Sequence, residues 1–182
     1  MFYKIIIFSI LFFAGCKTKT SQELININKD FSLKELSFNK TTSEEFEKLM
    51  ANKKILFTVK ETTPEDYLQN DSIAFCGNDS RLYEFNKIYT NYSLGLIFNF
   101  LKSNQQNKYT FYEYEISKFH HIKINGIDAN HLNNKQLKEL EIMNENAYDY
   151  ITNSKILGSI TLIDVNDSIK KINYLKVTTR EN

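Results

Sequence analysis

The sequence predicts an α+β fold: a single domain built mainly on an antiparallel β-sheet, with one or two helices packed on it. Three observations carry this expectation. Short segments alternate apolar and polar residues at period two, as half-buried strands do. Polar tracts rich in Asn, Ser and Asp separate these segments at hairpin spacing. Only two segments combine a helix-start signal with an apolar face at helical spacing, and they do not alternate regularly with the strands as βαβ units would.

Taken in order, residues 16–30 are mostly polar and read as a tether, and the folded domain is expected over residues 31–182. Thr42 and Glu45 match a capping box, with Phe46, Leu49 and Met50 on one face of the helix that follows. Ile55, Phe57 and Val59 alternate with Leu56, Thr58 and Lys60 as a strand. Residues 64–70 read as a loop, and residues 73–76 as a short strand ended by Gly77-Asn78. Residues 80–92 fit two templates: Leu82, Phe85, Tyr89 and Tyr92 make a helical face, whereas Tyr83, Phe85 and Tyr89 suit an alternating strand. Residues 94–101 and 108–117 read as two strands joined by a polar loop, and residues 119–124 as a third, stopped at Asn125-Gly126. A second helix is signalled by Asn133 as cap, Gln136 at the capping-box position and a Leu132–Leu137 staple. Its apolar stripe would be Leu137, Leu140, Met143, Ala147, Tyr150 and Ile151. Residues 156–165 and 169–178 close the chain as a hairpin turning at Asn166-Asp167-Ser168.

Charge and cysteine content bound the function. The chain has 23 Lys+Arg against 22 Asp+Glu, and only one of the basic residues, Lys4, lies in the first fifteen positions. The remainder is charge-balanced, which argues against a nucleic-acid partner or a polybasic membrane surface. Cys16 and Cys76 are the two cysteines. The abundance of Asn, Lys and Ile looks like the output of an AT-rich genome rather than a functional signature.

Residues 1–15 have the anatomy of a secretory signal peptide. Lys4 supplies the positive n-region, residues 5–13 an apolar run too short for a permanent span, and Ala14-Gly15 two small residues before Cys16. The ending Phe13-Ala14-Gly15-Cys16 resembles the lipobox of bacterial lipoproteins. That resemblance implies cleavage by signal peptidase II before Cys16, diacylglycerol on its thiol and an acyl chain such as palmitate on its new amino group. Cys76 would then have no intramolecular partner. The following Lys17-Thr18-Lys19-Thr20 lacks the Asp that retains many such proteins in the inner membrane, and lacks an acidic surface-export run. The expected location is the cell envelope of a Gram-negative bacterium, lipid-anchored in the outer membrane and facing the periplasm.

Candidate chemistry is sparse. His120, His121 and His131, with Asp128 nearby, are the only metal-ligand candidates, but on a strand His120 and His121 would point to opposite faces. Cys76, in Phe75-Cys76-Gly77-Asn78, reads as a small buried residue rather than a nucleophile. Glu113 and Glu115 share a strand face at the spacing of paired carboxylates, in the company of Tyr109 and Phe111. Aromatic residues are 14% of the chain, and Tyr109, Phe111, Tyr112 and Tyr114 place them on both faces of one strand, so that one face could serve recognition. The tripeptide Asp-Ser-Ile occurs at Ser72 and Ser168 in expected loops. It resembles the acceptor of an O-glycosylation system for exported proteins in one Gram-negative lineage.

No catalytic constellation assembles from these residues, and no cofactor is implied. The expectation is a non-enzymatic lipoprotein that binds a protein partner, in its specific form an immunity or inhibitor protein acting in the periplasm. Two alternatives stand beside it: a structural or assembly lipoprotein of an envelope complex, and a metal-binding or hydrolytic enzyme using His120, His121 or His131.

Overall fold

The computed structural model describes residues 25–62, 85–102, 107–120, 122–142, 149–152 and 156–179. Its main feature is an eight-stranded antiparallel sheet. The strands are β2 (Thr58–Thr62), β3 (Phe85–Asn91), β4 (Leu96–Lys102), β5 (Thr110–Ile116), β11 (Ile169–Thr179), β10 (Ile156–Asn166) and β9 (Asp149–Thr152), in that spatial order, with β8 (Leu132–Asn133) pairing the start of β11. A smaller three-stranded sheet joins β1 (Ile25–Ile27), β6 (Ile122–Ile124) and β7 (Ile127–Asp128). Helices α1 (Ser43–Asn52) and α2 (Asn134–Glu139) complete the α+β domain that the sequence predicts.

Helix α1 forms where its cap says it should. The Thr42 side chain accepts from the Glu45 backbone N–H and the Glu45 carboxylate accepts from the Thr42 N–H, which satisfies two otherwise orphaned donors. Its buried face then drops Phe46 into an aromatic core on the sheet. The Phe46 ring lies 4.8 Å from Tyr89, 4.9 Å from Phe98 and 5.2 Å from Phe100. Phe38 stacks on Phe111 at 4.7 Å with an interplanar angle of 8°, extending the same core past β5.

Residues 85–91, which fit both templates, form β3 in a hairpin with β4, while residues 80–84 lie outside the described residues. Strand β2 begins only at Thr58; Ile55 and Phe57 pack into or against the core from the connection before it. The stretch 119–124 is not one strand. A turn occupies residues 119–120 and β6 covers only Ile122–Ile124. Asn125 and Gly126 then adopt φ of 51° and 80°, the left-handed pair that a tight two-residue hairpin requires.

Two further expectations are corrected. Helix α2 stops at Glu139: Leu140 caps it, Glu141 takes φ 58°, and Asp149–Thr152 run as β9 along β10. Tyr150 and Ile151 therefore belong to a strand, and Met143 and Ala147 lie outside the described residues. The polar stretch assigned to a tether over residues 16–30 also ends early. Ile25–Ile27 form β1, both isoleucines are buried, and the segment runs parallel to β6 in register Ile25↔Ile122 and Ile27↔Ile124. Among the described residues, folded structure is thus already present at Ile25, ahead of Phe31.

Candidate functional site

The outer face of the sheet, opposite α1, carries a partly buried polar cluster. Glu113 and Glu115 stand on this face of β5, and β11 brings Lys176 between them. The Lys176 Nζ lies 3.0 Å from Glu113 Oε1 and 3.0 Å from Glu115 Oε1. Tyr174 donates its hydroxyl to Glu115 Oε2 at 2.8 Å, and Asn99 stands opposite Glu113 on β4. The Asn99 Oδ1 is buried and accepts no hydrogen bond from the described residues.

The electrostatics follow from this packing. Burial pushes the Glu113 carboxyl above the usual carboxylate range, against the opposing pull of Lys176. Burial also works to lower the Lys176 ammonium, but its hydrogen bonds to Glu115 and Glu113 outweigh that and hold it above its ordinary value. The Tyr174 phenol is pushed up to about 12 by burial and by its bond to Glu115. The lysine between the two carboxylates ties up an oxygen of each, so one ammonium is shared by two acids. That suits cross-strand fastening, not the open acid and base of a hydrolase.

A second cluster lies where α1 meets β3. Glu47 Oε1 accepts from the Tyr89 hydroxyl at 2.5 Å and from Lys87 Nζ at 3.0 Å. Lys87 sits 5.5 Å from the Tyr89 ring centroid and 6.0 Å from that of Tyr109. The hydrogen bonds from Tyr89 and Lys87 hold the Glu47 carboxyl below its ordinary range. Burial and the bond to Glu47 push the Tyr89 phenol up to about 12.

The aromatic surface expected at Tyr109, Phe111, Tyr112 and Tyr114 divides differently. Phe111 and Tyr114 are wholly buried on the α1 side of the sheet, and Tyr109 and Tyr112 are half-buried. An irregularity in the β4–β5 register between Asn99 and Phe100 shifts the alternation, pairing Phe100 with Phe111 and Phe98 with Tyr114. Two aromatics three residues apart thus share the core face, and Phe111 is not on the face of Glu113 and Glu115. The Tyr114 hydroxyl is satisfied inside the core, donating to the Phe31 carbonyl at 2.6 Å.

The histidines do not converge. His120 is exposed in the turn before β6, and His121 lies outside the described residues. His131 is 67% exposed, with Nδ1 3.7 Å from Asp128 Oδ2. Asp128 spends its other interactions on Asn130, whose backbone N–H and side-chain amide donate to Oδ1 at 2.9 and 3.0 Å. Among the described residues no group of three His, Cys, Asp or Glu side chains could hold a metal ion. Cys16, Ser72 and Cys76 lie outside the described residues; Ser168 is exposed in the β10–β11 turn.

Local sequence did not reveal Lys176, Tyr174 or Asn99 as partners of the glutamates. The two β11 residues lie about sixty positions from Glu115, and only the β5–β11 pairing unites them. Leu157 on β10, in register with Thr178, is exposed on this same face, whereas Leu56 is 85% exposed, Tyr92 79% and Val59 on β2 47%. No family model matches this chain, and no curated protein or solved structure is significantly similar to it.

Proposed function

We propose that this chain is a lipid-anchored protein of the bacterial cell envelope, fixed through Cys16 to the outer membrane and acting in the periplasm by binding a protein partner. The observation that carries the anchor is the segment ending Phe13-Ala14-Gly15-Cys16, with Lys4 and the apolar run before it. Support for the binding role comes from β2, which ends the strand order of the main sheet among the described residues and exposes Thr58, Val59, Lys60 and Glu61. An open strand edge offers alternating backbone donors and acceptors to an added strand, and exposed side chains such as Val59 supply selectivity.

Within this reading the specific role is an immunity or inhibitor lipoprotein that caps a toxin or hydrolase entering the periplasm. A structural lipoprotein of an envelope complex would share both anchor and surface, so the identity of the partner separates the two. The test is a pull-down of the full chain from detergent-solubilised native envelope, with Cys16→Ser as control. A stoichiometric toxin or hydrolase supports the inhibitor role, and a resident envelope complex supports the assembly role. No protein above control removes the binding reading. Ser168, exposed and with its N–H held by Asn166 Oδ1 at 3.0 Å, is an accessible copy of the Asp-Ser-Ile acceptor. Loss of a glycan mass in Ser168→Ala would establish modification there.

A further inference from the structure

The described chain begins at the end of the molecule where its most exposed apolar side chains stand. Ile25 is in register with Ile122, whose N–H bonds the Phe119 carbonyl at 3.3 Å. One residue earlier, Lys118 donates through Nζ to the Tyr92 carbonyl at 2.9 Å and the Ser93 carbonyl at 3.3 Å. Across the β3–β4 turn, Asn91 donates from Nδ2 to the Leu56 carbonyl at 2.7 Å. These bonds tie Leu56 and Tyr92, through Asn91 and Lys118, to the segment that leads into the strand Ile25 pairs with. Ile25 itself lines a small cavity with Met50 and Phe98, at the C-terminal end of α1 from which the Leu56 connection departs.

Around the exposed Leu56 and Tyr92 the loops carry an excess of basic side chains, with Glu35 as the acid that meets Lys53. Residues 53–56, 91–95 and 117–120 contain Lys53, Lys54, Lys118 and His120 and no acid. Lys53 is paired with Glu35 at 2.6 Å, whereas the exposed Lys54 and Lys118 face no carboxylate within ion-pair distance among the described residues. A tyrosine and a leucine framed by lysines is the composition that seats at a bilayer interface, with the aromatic ring at headgroup depth and the ammonium groups on anionic phosphates.

Chain length selects the occupant. Only residues 17–24 separate Cys16 from Ile25, a leash of at most ~30 Å when fully extended. A domain of this size is about 40 Å across. The end opposite Ile25 is therefore beyond the reach of the leash, whereas the Leu56–Tyr92 end lies next to it. We infer that Leu56, Tyr92, Lys54 and Lys118 form a docking surface for the anionic bilayer into which the Cys16 lipid inserts, so that the domain lies on the membrane in a fixed orientation. This inference rests on the lipid anchor proposed above.

The chain has no tryptophan, so a single introduced one reports its own surroundings. Tyr92→Trp and Leu56→Trp would each be made in the full lipidated chain and reconstituted into phosphatidylethanolamine–phosphatidylglycerol vesicles with brominated acyl chains. Lys40→Trp, exposed beside the start of β5 at the far end of the sheet, is the control. The expected result is a blue-shifted emission, strongly quenched by the brominated lipid, for positions 92 and 56 but not for position 40. Unquenched emission at 92 and 56 in a chain whose mass shows the lipid on Cys16 overturns the docking surface and leaves the anchor standing. A mass without lipid overturns the anchor and the docking surface together.

Discussion

Phe46 concentrates more of the core on one side chain than any other residue of α1. It is fully buried and meets four rings, those of Tyr89, Phe98, Phe100 and Phe57, at centroid separations of 4.8 to 5.4 Å. Removing such a ring forfeits the transfer energy of its carbons and leaves a cavity that a rigid sheet cannot close. Phe46→Ala is expected to cost ~3–5 kcal/mol in chemical denaturation, a large part of a typical domain's stability. Leu49→Ala on the same helix, half-buried at the rim of the core, should cost less. The tyrosines give a second test at this scale. Tyr89 and Tyr174 are both pushed up to about 12, burial being the larger cause and the glutamate that accepts the hydroxyl proton the next. A folded-state value above the unfolded one favours the protonated phenol. The stability it contributes is whole below about pH 10 and is lost as pH climbs from there towards 12. Urea midpoints measured between pH 9 and 12 should fall along that limb, and Tyr89→Phe with Tyr174→Phe should flatten it, at the expense of a lower plateau near neutrality.

Among the elements, turns separate two glycines that look alike in sequence. Gly95 has φ 65° and Gly126 φ 80°, so both favour glycine. At Gly126 an added Cβ would meet nothing within 4 Å, whereas at Gly95 it would lie 2.7 Å from the Lys118 backbone nitrogen. Gly126→Ala should thus cost about 1 kcal/mol for its backbone conformation alone. Gly95→Ala should cost clearly more, because the 117–118 backbone must move, and comparative thermal melts of the two variants check this. The legibility of the elements follows the same divide between local and remote causes. Both capping boxes, at Thr42–Glu45 and Asn133–Gln136, are written within four residues and form as read. The closing hairpin matches its predicted limits to within one residue at each strand end, because its turn residues and alternation are contiguous. Helix α2 was read too long because Tyr150 and Ile151 continue its stripe, while the open edge of β10 recruits them as β9. The ordinary alternation of β5 was misread for a similar reason: the register irregularity that buries both Phe111 and Tyr114 depends on β4. At the polar cluster, the shared face of Glu113 and Glu115 was legible from spacing, but Lys176 was not, since its position is a consequence of the β5–β11 pairing.

For the whole molecule, the small sheet carries the described core back to Ile25. Strand β1 is parallel to β6, almost a hundred residues away, and the Asn125 N–H bonds the Ile27 carbonyl at 2.7 Å beyond the paired register. Ile25 and Ile27 bury against the same core that holds Leu33, Leu36 and Met50, so β1 is part of that core. The alternation Ile25-Asn26-Ile27-Asn28 is the only trace of this in the sequence, and three residues of it are too few to distinguish a strand from a polar tether. Losing a buried isoleucine side chain costs ~2–5 kcal/mol, and here two would go together with the backbone pairing of β1. Because a domain of this length shifts its melting point by roughly 2–4 °C per kcal/mol, a chain starting at Phe31 should melt at least about 10 °C below one starting at Ile25. Equal melting of the two shortened chains would show that β1 is held by the domain without helping to hold it, and would return the fold boundary to Phe31. The longer tether that follows, roughly 50 Å when extended, would then let either end of the domain reach the membrane.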